Sequence, residues 1–378
     1  MTYLKLKDKT VLYFNVDSGV YRVVEPALLP FQLRDGILDL DGNGTITQTI
    51  KNYNALMRFF GSRTLSVKRE NAKKVLNALK ISQRDDNDTR YKIIILCKAL
   101  STDDDYWITS NPDEKWDSVD LYKNHLNEAI SQIALSGKSL TITGKIHTPE
   151  LTGHGAYAKA WFREDGWLWL YKAPSRGGIE TNIEVSVSNI LDKTNVPHVK
   201  YEFAEKFGMK YSRCRSMKSA DCSIVTAEDV ASWCNRTGVL FETFVKDLDS
   251  ENYYKTIVVD YLISNSDRHG QNWGFFMDNT SGRLLGLHPL FDHNNAFDLG
   301  DIESPYGGDS LMMEGKTKKE AAMYAIKHCS FRITRCIVRS DFPSSAAYSS
   351  FKQRMEILDI NNPKQKKSFL AKKLEGFK

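Results

Sequence analysis

The sequence predicts an α+β protein: a mixed β-hairpin and helical N-terminal domain, then a longer part running strands, helix, strands and mostly helices. Three observations predict it. Of 378 residues, 41% are apolar and 26% charged, ordinary values for a chain that closes a core. Hydrophobic periodicity alternates along the chain between strand-like and helix-like spacing. A composition break at Thr143–Pro149 divides the two parts, giving an N-terminal domain at 1–145 and a second part at 146–378.

In the first part, Thr10–Phe14 and Val20–Val24 are β-rich runs joined by Asp17-Ser18-Gly19, which predicts a hairpin. Pro26 and Pro30 then break the pattern. From about Thr47 to Leu100 the spacing is helical, with Ile50, Tyr53, Leu56 and Met57 on one face and Ala72, Val75, Leu76 and Leu79 on another. Tyr91–Leu100 is β-branched and reads as strand or buried helix alike. Asp103–Ile108 and Asn111-Pro112-Asp113 read as loop, and Leu121–Leu135 as helix. No internal repeat is visible.

Several function classes are set aside. No apolar run approaches the ~20 residues of a membrane span, and Met1–Phe14 carries three lysines and no cleavage signal, so a cytoplasmic protein is expected. The net charge of +5 sits entirely in Asn361–Lys378, with six lysines against Glu375. A body balanced to zero does not present the basic face that reads nucleic acid. The tail is expected to be a solvated last helix packing Phe369, Leu370 and Leu374. Six scattered cysteines lack zinc-site spacing and are expected as reduced thiols. Asp39–Ile46 copies the first eight positions of a calcium loop, but Ile50 stands where the bidentate glutamate belongs. An Asp/Asn/Gly turn is the better reading.

The chemistry concentrates at Asp267-Arg268-His269-Gly270-Gln271-Asn272. Before it, Tyr254, Ile257, Val258, Tyr261 and Leu262 mark one apolar helix face, with Ser250 as expected N-cap. After it, a hairpin is expected from Gly274–Met277 and Leu284–Leu290, ending in Phe291-Asp292. An Asp followed five positions later by an Asn has the spacing of a phosphotransfer loop. The carboxylate of Asp267 would take the substrate hydroxyl proton, while Asn272 and Asp292 would hold magnesium on the phosphates. Upstream, Leu151–Lys159 includes Gly153, His154 and Gly155, a small segment able to bring backbone N–H groups to phosphate. Lys172 ends a strand (Trp167–Lys172) on the face shared by Leu168 and Leu170, where a lysine needs an anion. The following helix, with Ile183, Val187, Ile190 and Leu191 on one face, offers Glu180 or Glu184 as its partner.

Asp-Arg-His-x-x-Asn-x-Gly followed by Phe-Asp resembles the HipA-like serine/threonine protein kinases, whose loop style is shared with phosphatidylinositol 3/4-kinases. The resemblance spans roughly Pro149 to the C-terminus and is sharpest from Asp260 to Asp292. It implies a two-lobed, protein-kinase-like domain at 146–378, with its N-lobe at 146–225 and its helical C-lobe at 226–378. By it, Asp267 matches the catalytic aspartate, and Asn272 and Asp292 match the metal ligands; Lys172, read from its strand, is expected both to bind the nucleotide and to act in catalysis with Asp267. The E-x-x-x-E before Asn195-Val196-Pro197 favours Glu184. Thr152 stands where that family has an autophosphorylated serine, and Lys159 matches a loop lysine. Lacking a carboxylate partner in sequence, Lys159 is assigned to the surface.

The function expected is transfer of the γ-phosphate of ATP, with Mg2+, to a serine or threonine of a protein, autophosphorylation included. The alternatives are a small-molecule or lipid-headgroup kinase of the same fold and a non-catalytic partner-binding pseudokinase. Expected partners are a protein substrate and an antitoxin-like or other regulatory protein, with no membrane and no direct nucleic-acid binding. Retention of Lys172, Asp267, Asn272 and Asp292 speaks against a pseudokinase.

Overall fold

The chain begins with strands whose apolar residues face inward. In the computed structural model, which describes residues 1–15, 18, 20–35, 37–38, 46–153, 155–174, 178–298, 300 and 308–361, β1 (Thr2–Leu6) and β2 (Lys9–Phe14) form an antiparallel hairpin. β3 (Tyr21–Val23) pairs with β2, and β4 (Tyr106–Thr109) with β1, giving the order β3-β2-β1-β4. The calcium-loop look-alike at 39–45, Asp17 and Gly19 of the hairpin turn, and the lysine-rich tail beyond 361 lie outside the described residues.

Strand β4 corrects the loop expected over Asp103–Ile108. All four of its residues are buried, so it shows no alternation, and three preceding aspartates disguise its start. The helical stretch resolves into α1 (Ile46–Gly61), α2 (Ala72–Ala78) and α3 (Asn87–Leu96). The ambiguous Tyr91 run is helix: Asp86 caps α3 by accepting from Thr89 N at 2.8 Å. The helix expected from Leu121 begins later, as α4 (Glu128–Ser136). Asp120 draws Tyr122 N into a tight turn at 2.7 Å, and Asn127 then caps through Ile130 N at 3.3 Å. Such side-chain bonds compete with helix formation over 120–127.

The second sheet, β5 (Lys159–Glu164), β6 (Trp167–Lys172), β7 (Tyr201–Lys206) and β8 (Met209–Arg215), is antiparallel in the order β5-β6-β8-β7. Asp165-Gly166, both with positive φ (49° and 78°), closes the β5–β6 hairpin, a turn that demands such residues. Helix α5 (Ile179–Leu191) packs Val185 with Tyr201 and Cys214 of this sheet and buries Ile183, Val187, Ile190 and Leu191 in the core of the helical lobe. A third sheet of β9 (Cys222–Thr226), β10 (Gly274–Asp278) and β11 (Leu284–Leu287) has the order β11-β10-β9. Around it stand α6 (Ala227–Thr237), α7 (Phe241–Leu262), α8 (Lys318–Ala325) and α9 (Ser345–Ile357). Helix α7 breaks at Asp249 (φ −160°, ψ 69°). The Asp249 carboxylate accepts from Asn252 N at 3.2 Å, so Asp249, rather than Ser250, starts the turn leading to the apolar face.

Residues upstream of 146 divide their apolar surface between the two lobes. Leu4, Leu12, Phe31, Leu56, Phe59 and Ile108 share one core with Val230, Val258, Tyr261 and Phe275 of the helical lobe. Val75, Leu76, Ile93, Ile130 and Ile133 share another with Phe162, Trp169, Tyr171 and Tyr211 of the second sheet. Where the lobes meet, Lys218 Nζ lies 2.6 Å from Asp105 Oδ1, both side chains being 2% exposed. Asp105 Oδ2 accepts from Asn279 Nδ2 at 2.8 Å, so one carboxylate ties together three parts of the chain. Burial raises the Asp105 pKa, opposed chiefly by Lys218. Removing one partner of such a pair strands the other. Lys218→Met is expected to cost about 3–5 kcal/mol, read by urea denaturation, and Asp105→Asn/Lys218→Met distinctly less.

Among the described residues, no helix is long and apolar enough to cross a membrane. All six cysteines are free, and among the described residues no group of three His, Cys, Asp or Glu side chains could hold a metal ion by itself.

Candidate active site

Pairing in the second sheet sets Lys172 opposite Ser212 of β8 and Lys159 of β5. Trp169 and Tyr171 point into the core shared with α2 and α4, which leaves Leu170 and Lys172 facing α5 and the space between the lobes. Lys172 Nζ donates to Glu184 Oε1, and to Asp292 Oδ1 at 2.8 Å. Glu184, 1% exposed, uses its second oxygen to accept from Ser212 Oγ at 3.0 Å. Of the two glutamates open in sequence, Glu184 is therefore the lysine's partner. Glu180, one turn earlier, keeps a buried Oε2 without a hydrogen bond.

Burial would strip the Lys172 proton, but Asp292 and Glu184 hold its pKa well above the ordinary value. Burial likewise works against ionised Asp292, yet Lys172 and then Lys159 keep that carboxyl well below the usual range. Asp292 sits at φ 56°, a left-handed conformation that Asp tolerates better than most side chains. Among the described residues its Oδ2 takes no hydrogen bond, and the side chain is 27% exposed.

The 267–272 loop is built on a buried arginine. Arg268, 2% exposed, meets Asp260 of α7 at 3.0 Å and donates to the carbonyls of Asn272 at 2.6 Å and Phe291 at 3.0 Å. One guanidinium thus ties the end of α7, the loop and the segment just before Asp292, which follows β11. Asn265 adds Nδ2 to Asp260 Oδ1 at 2.9 Å. Asn272 Nδ2 donates to Asp267 O at 2.8 Å, which leaves the amide oxygen of a 7%-exposed side chain as a free acceptor among the described residues. Asp267 is more open, with 38% of its side chain exposed, and its Oδ2 accepts from Asn295 Nδ2 at 2.8 Å. The sequence reading did not single out Asn295; its signal was the run of polar residues directly after Asp292.

The 151–158 segment lies at the entry to β5. Thr152 is buried and its hydroxyl donates to Pro149 O at 3.1 Å. Gly153 and Gly155 are described; His154 lies outside the described residues. Lys159 is not the surface residue expected. It is half-buried, and a Cβ built on Gly155 would come 2.8 Å from its Nζ. Burial first, then the neighbouring positive charges of Arg69 and Lys172, push its pKa down to about 8 against the pull of Asp292. No carboxylate among the described residues pairs with it. A half-buried ammonium beside Lys172 lacks the anion that would normally accompany it. Lys159→Met is accordingly expected to raise the Kd for ATP roughly tenfold, read by titration of the full chain with ATP and magnesium.

An antiparallel sheet with one packed helix, a helical lobe below it, and a lysine bridging a helix glutamate and an aspartate from the second lobe make a two-lobed, protein-kinase-like arrangement. Among solved structures, the chain is similar to HipA in the toxin–antitoxin complex of HipA, HipB and operator DNA from Shewanella oneidensis MR-1. The match has a TM-score of 0.48 and 13% identity, over 95% of this chain and 97% of that one. It is also similar to the proinflammatory kinase CtkA of Helicobacter pylori, with a TM-score of 0.40 and 14% identity, over 55% of this chain and 90% of that one. No family model and no curated protein matches the sequence.

Proposed function

We propose that the protein is an ATP- and magnesium-dependent phosphotransferase of HipA-like kind, passing the γ-phosphate to a serine or threonine hydroxyl of a protein. The observation that carries this reading is Lys172 held between Glu184 and Asp292, 2.8 Å from the latter, in a chain whose 267–272 loop is tied by Arg268 to Phe291, the residue before Asp292. Lys172 would bind the nucleotide phosphates, oriented by Glu184. Asn272 and Asp292 would hold magnesium through the oxygens left free. Magnesium suits a site of two protein oxygens, since phosphates and water complete its octahedron. Gly153, His154, Gly155 and Lys159 would line the phosphates from above. Asp267 would accept the substrate hydroxyl's proton and aim its oxygen at phosphorus.

The partners in this reading are a protein substrate and, as the sequence resemblance implies, an antitoxin-like or other regulatory protein. The direct test is incubation of the full chain with γ-labelled ATP and magnesium, alone and with a host lysate. Label on serine or threonine of this chain or of a lysate protein is the expected result. ATP turnover confined to a small alcohol or a lipid would move the reading to that class, and absence of ATP binding would overturn it.

A further inference from the structure

Arg69 belongs to the region upstream of both lobes, yet its side chain is 2% exposed and ends beneath the 151–158 loop. Arginine is almost never buried so fully unless paired. Its Nη2 lies 3.2 Å from Glu150 Oε2 and also donates to the carbonyl of Lys159. Glu150 spends its other oxygen on Trp161 N at 2.7 Å. Glu150 leads into the loop and Lys159 leads out, so one guanidinium pins both ends. Nη1 meets the middle: a Cβ built on Gly153 would fall 2.5 Å from it, closer than side chains pack, so a larger residue there would lift the loop off its floor. Leu65 N donates to Leu151 O at 2.6 Å and Glu70 N to Ala156 O at 2.9 Å. Glu70 Oε2 accepts from Ala158 N at 3.3 Å.

A buried ion pair is a poor source of stability, since apolar residues of similar volume often serve as well. A loop that offers backbone N–H groups to phosphate, by contrast, gains affinity from being ordered before the ligand arrives. We propose that Arg69 is a positioning residue for nucleotide binding, a strut from the N-terminal region that fixes the 151–158 loop and Lys159 against the phosphates of a nucleoside triphosphate. This rests on the kinase reading above. The depressed pKa of Lys159, to which Arg69 contributes after burial, agrees with a cationic floor awaiting an anion.

The test uses two perturbations of the full chain. Arg69→Ala/Glu150→Gln removes both buried charges together, leaving no stranded carboxylate and keeping an acceptor for Trp161 N. Gly153→Ala leaves the pair intact and pushes the guanidinium from the loop side. Without nucleotide, each variant should show roughly tenfold faster amide exchange over 151–158, with β6 and β8 unchanged. With magnesium, the Kd for ATP should weaken on the order of tenfold in each, while in Arg69→Ala/Glu150→Gln single-turnover transfer at saturating ATP stays within about threefold. Combined, the perturbations should not add, because both break the same contact. Unchanged loop exchange, unchanged ATP affinity, additive effects, or a loss confined to transfer at saturation would each overturn the proposal. Wild-type chain that binds no ATP would instead overturn the kinase reading, while loop exchange would still report whether Arg69 holds the loop.

Discussion

Asp267→Asn should reduce phosphoryl transfer by about 10²–10⁴-fold, the range that a positioned general base supplies, while leaving ATP affinity nearly unchanged. The geometry explains the split. Asp267 Oδ2 accepts from Asn295 Nδ2 at 2.8 Å, and an asparagine at 267 keeps that bond by turning its carbonyl oxygen to Asn295. Its NH2 then faces the substrate side, a donor where an acceptor is needed. Asn272 loses little, since its firm bond goes to the Asp267 carbonyl at 2.8 Å. Lys172, Glu184 and Asp292 form a separate cluster, so the nucleotide side stays intact. The measurement is single-turnover transfer to the protein itself or to an accepted substrate, beside ATP titration. Transfer at the wild-type rate would reduce Asp267 to a loop residue. Loss of both binding and transfer would mean that the loop had come apart, and a thermal melt of the variant would show it.

What could be read from sequence follows from what was local. Asp267 and Asn272 share one short loop, and Asp292 follows five residues after the hairpin strand that ends at Leu287, so sequence spacing alone put forward all three. Lys172 was legible because a lysine on the apolar face of Trp167–Lys172 contradicts its surroundings. The choice between Glu180 and Glu184 was not legible from periodicity. They are one helical turn apart, and the tilt of α5 over Ser212 decides which one meets the sheet. Lys159 was misplaced because Arg69, which binds its carbonyl and sets a second positive charge near it, comes from 90 residues upstream. Strand β4 was hidden because burial of all four residues erases the period of two: Tyr106 and Ile108 join the core shared with the helical lobe, and Trp107 packs with Leu100, Trp116 and Val119. The 121–127 stretch has helix-compatible composition, but Asp120 and Asn127 bind nearby backbone and end the competition locally.

The N-terminal region is where local reading ran out most clearly. A hairpin and helices were expected there, and they form. Their apolar faces, however, do not close on one another alone. Leu4, Leu12, Phe31 and Phe59 close on the helical lobe, and Val75, Ile130 and Ile133 on the second sheet. The same region also supplies Asp105 to the junction between lobes and Arg69 to the loop above the cleft. A segment packed against both lobes thus joins their two cores through its own side chains.

Asp292→Asn should abolish the part of ATP's stabilising effect that depends on magnesium. In the wild type, a ligand bound only to the folded state adds RT ln(1 + [L]/Kd), about 2.7 kcal/mol at a hundredfold excess. For a chain of 378 residues this corresponds to a rise in Tm of about 3 °C. ATP without magnesium should give little of it, since four phosphate charges would face Asp292 uncompensated. The substitution is conservative where structure is concerned. Position 292 has φ 56°, which asparagine adopts as readily as aspartate, and Lys172 keeps Glu184 as a counter-ion. What is lost is the charged oxygen that a hard cation prefers. Without the carboxylate the cleft is also more positive, so ATP alone should bind the variant somewhat better than the wild type, and added magnesium should give no further rise. Thermal melts of both proteins with ATP, with magnesium and with both decide the matter. A magnesium-dependent shift of full size in the variant would place the metal away from Asp292 and would break the link between Lys172, Asp292 and the nucleotide on which the proposed function stands.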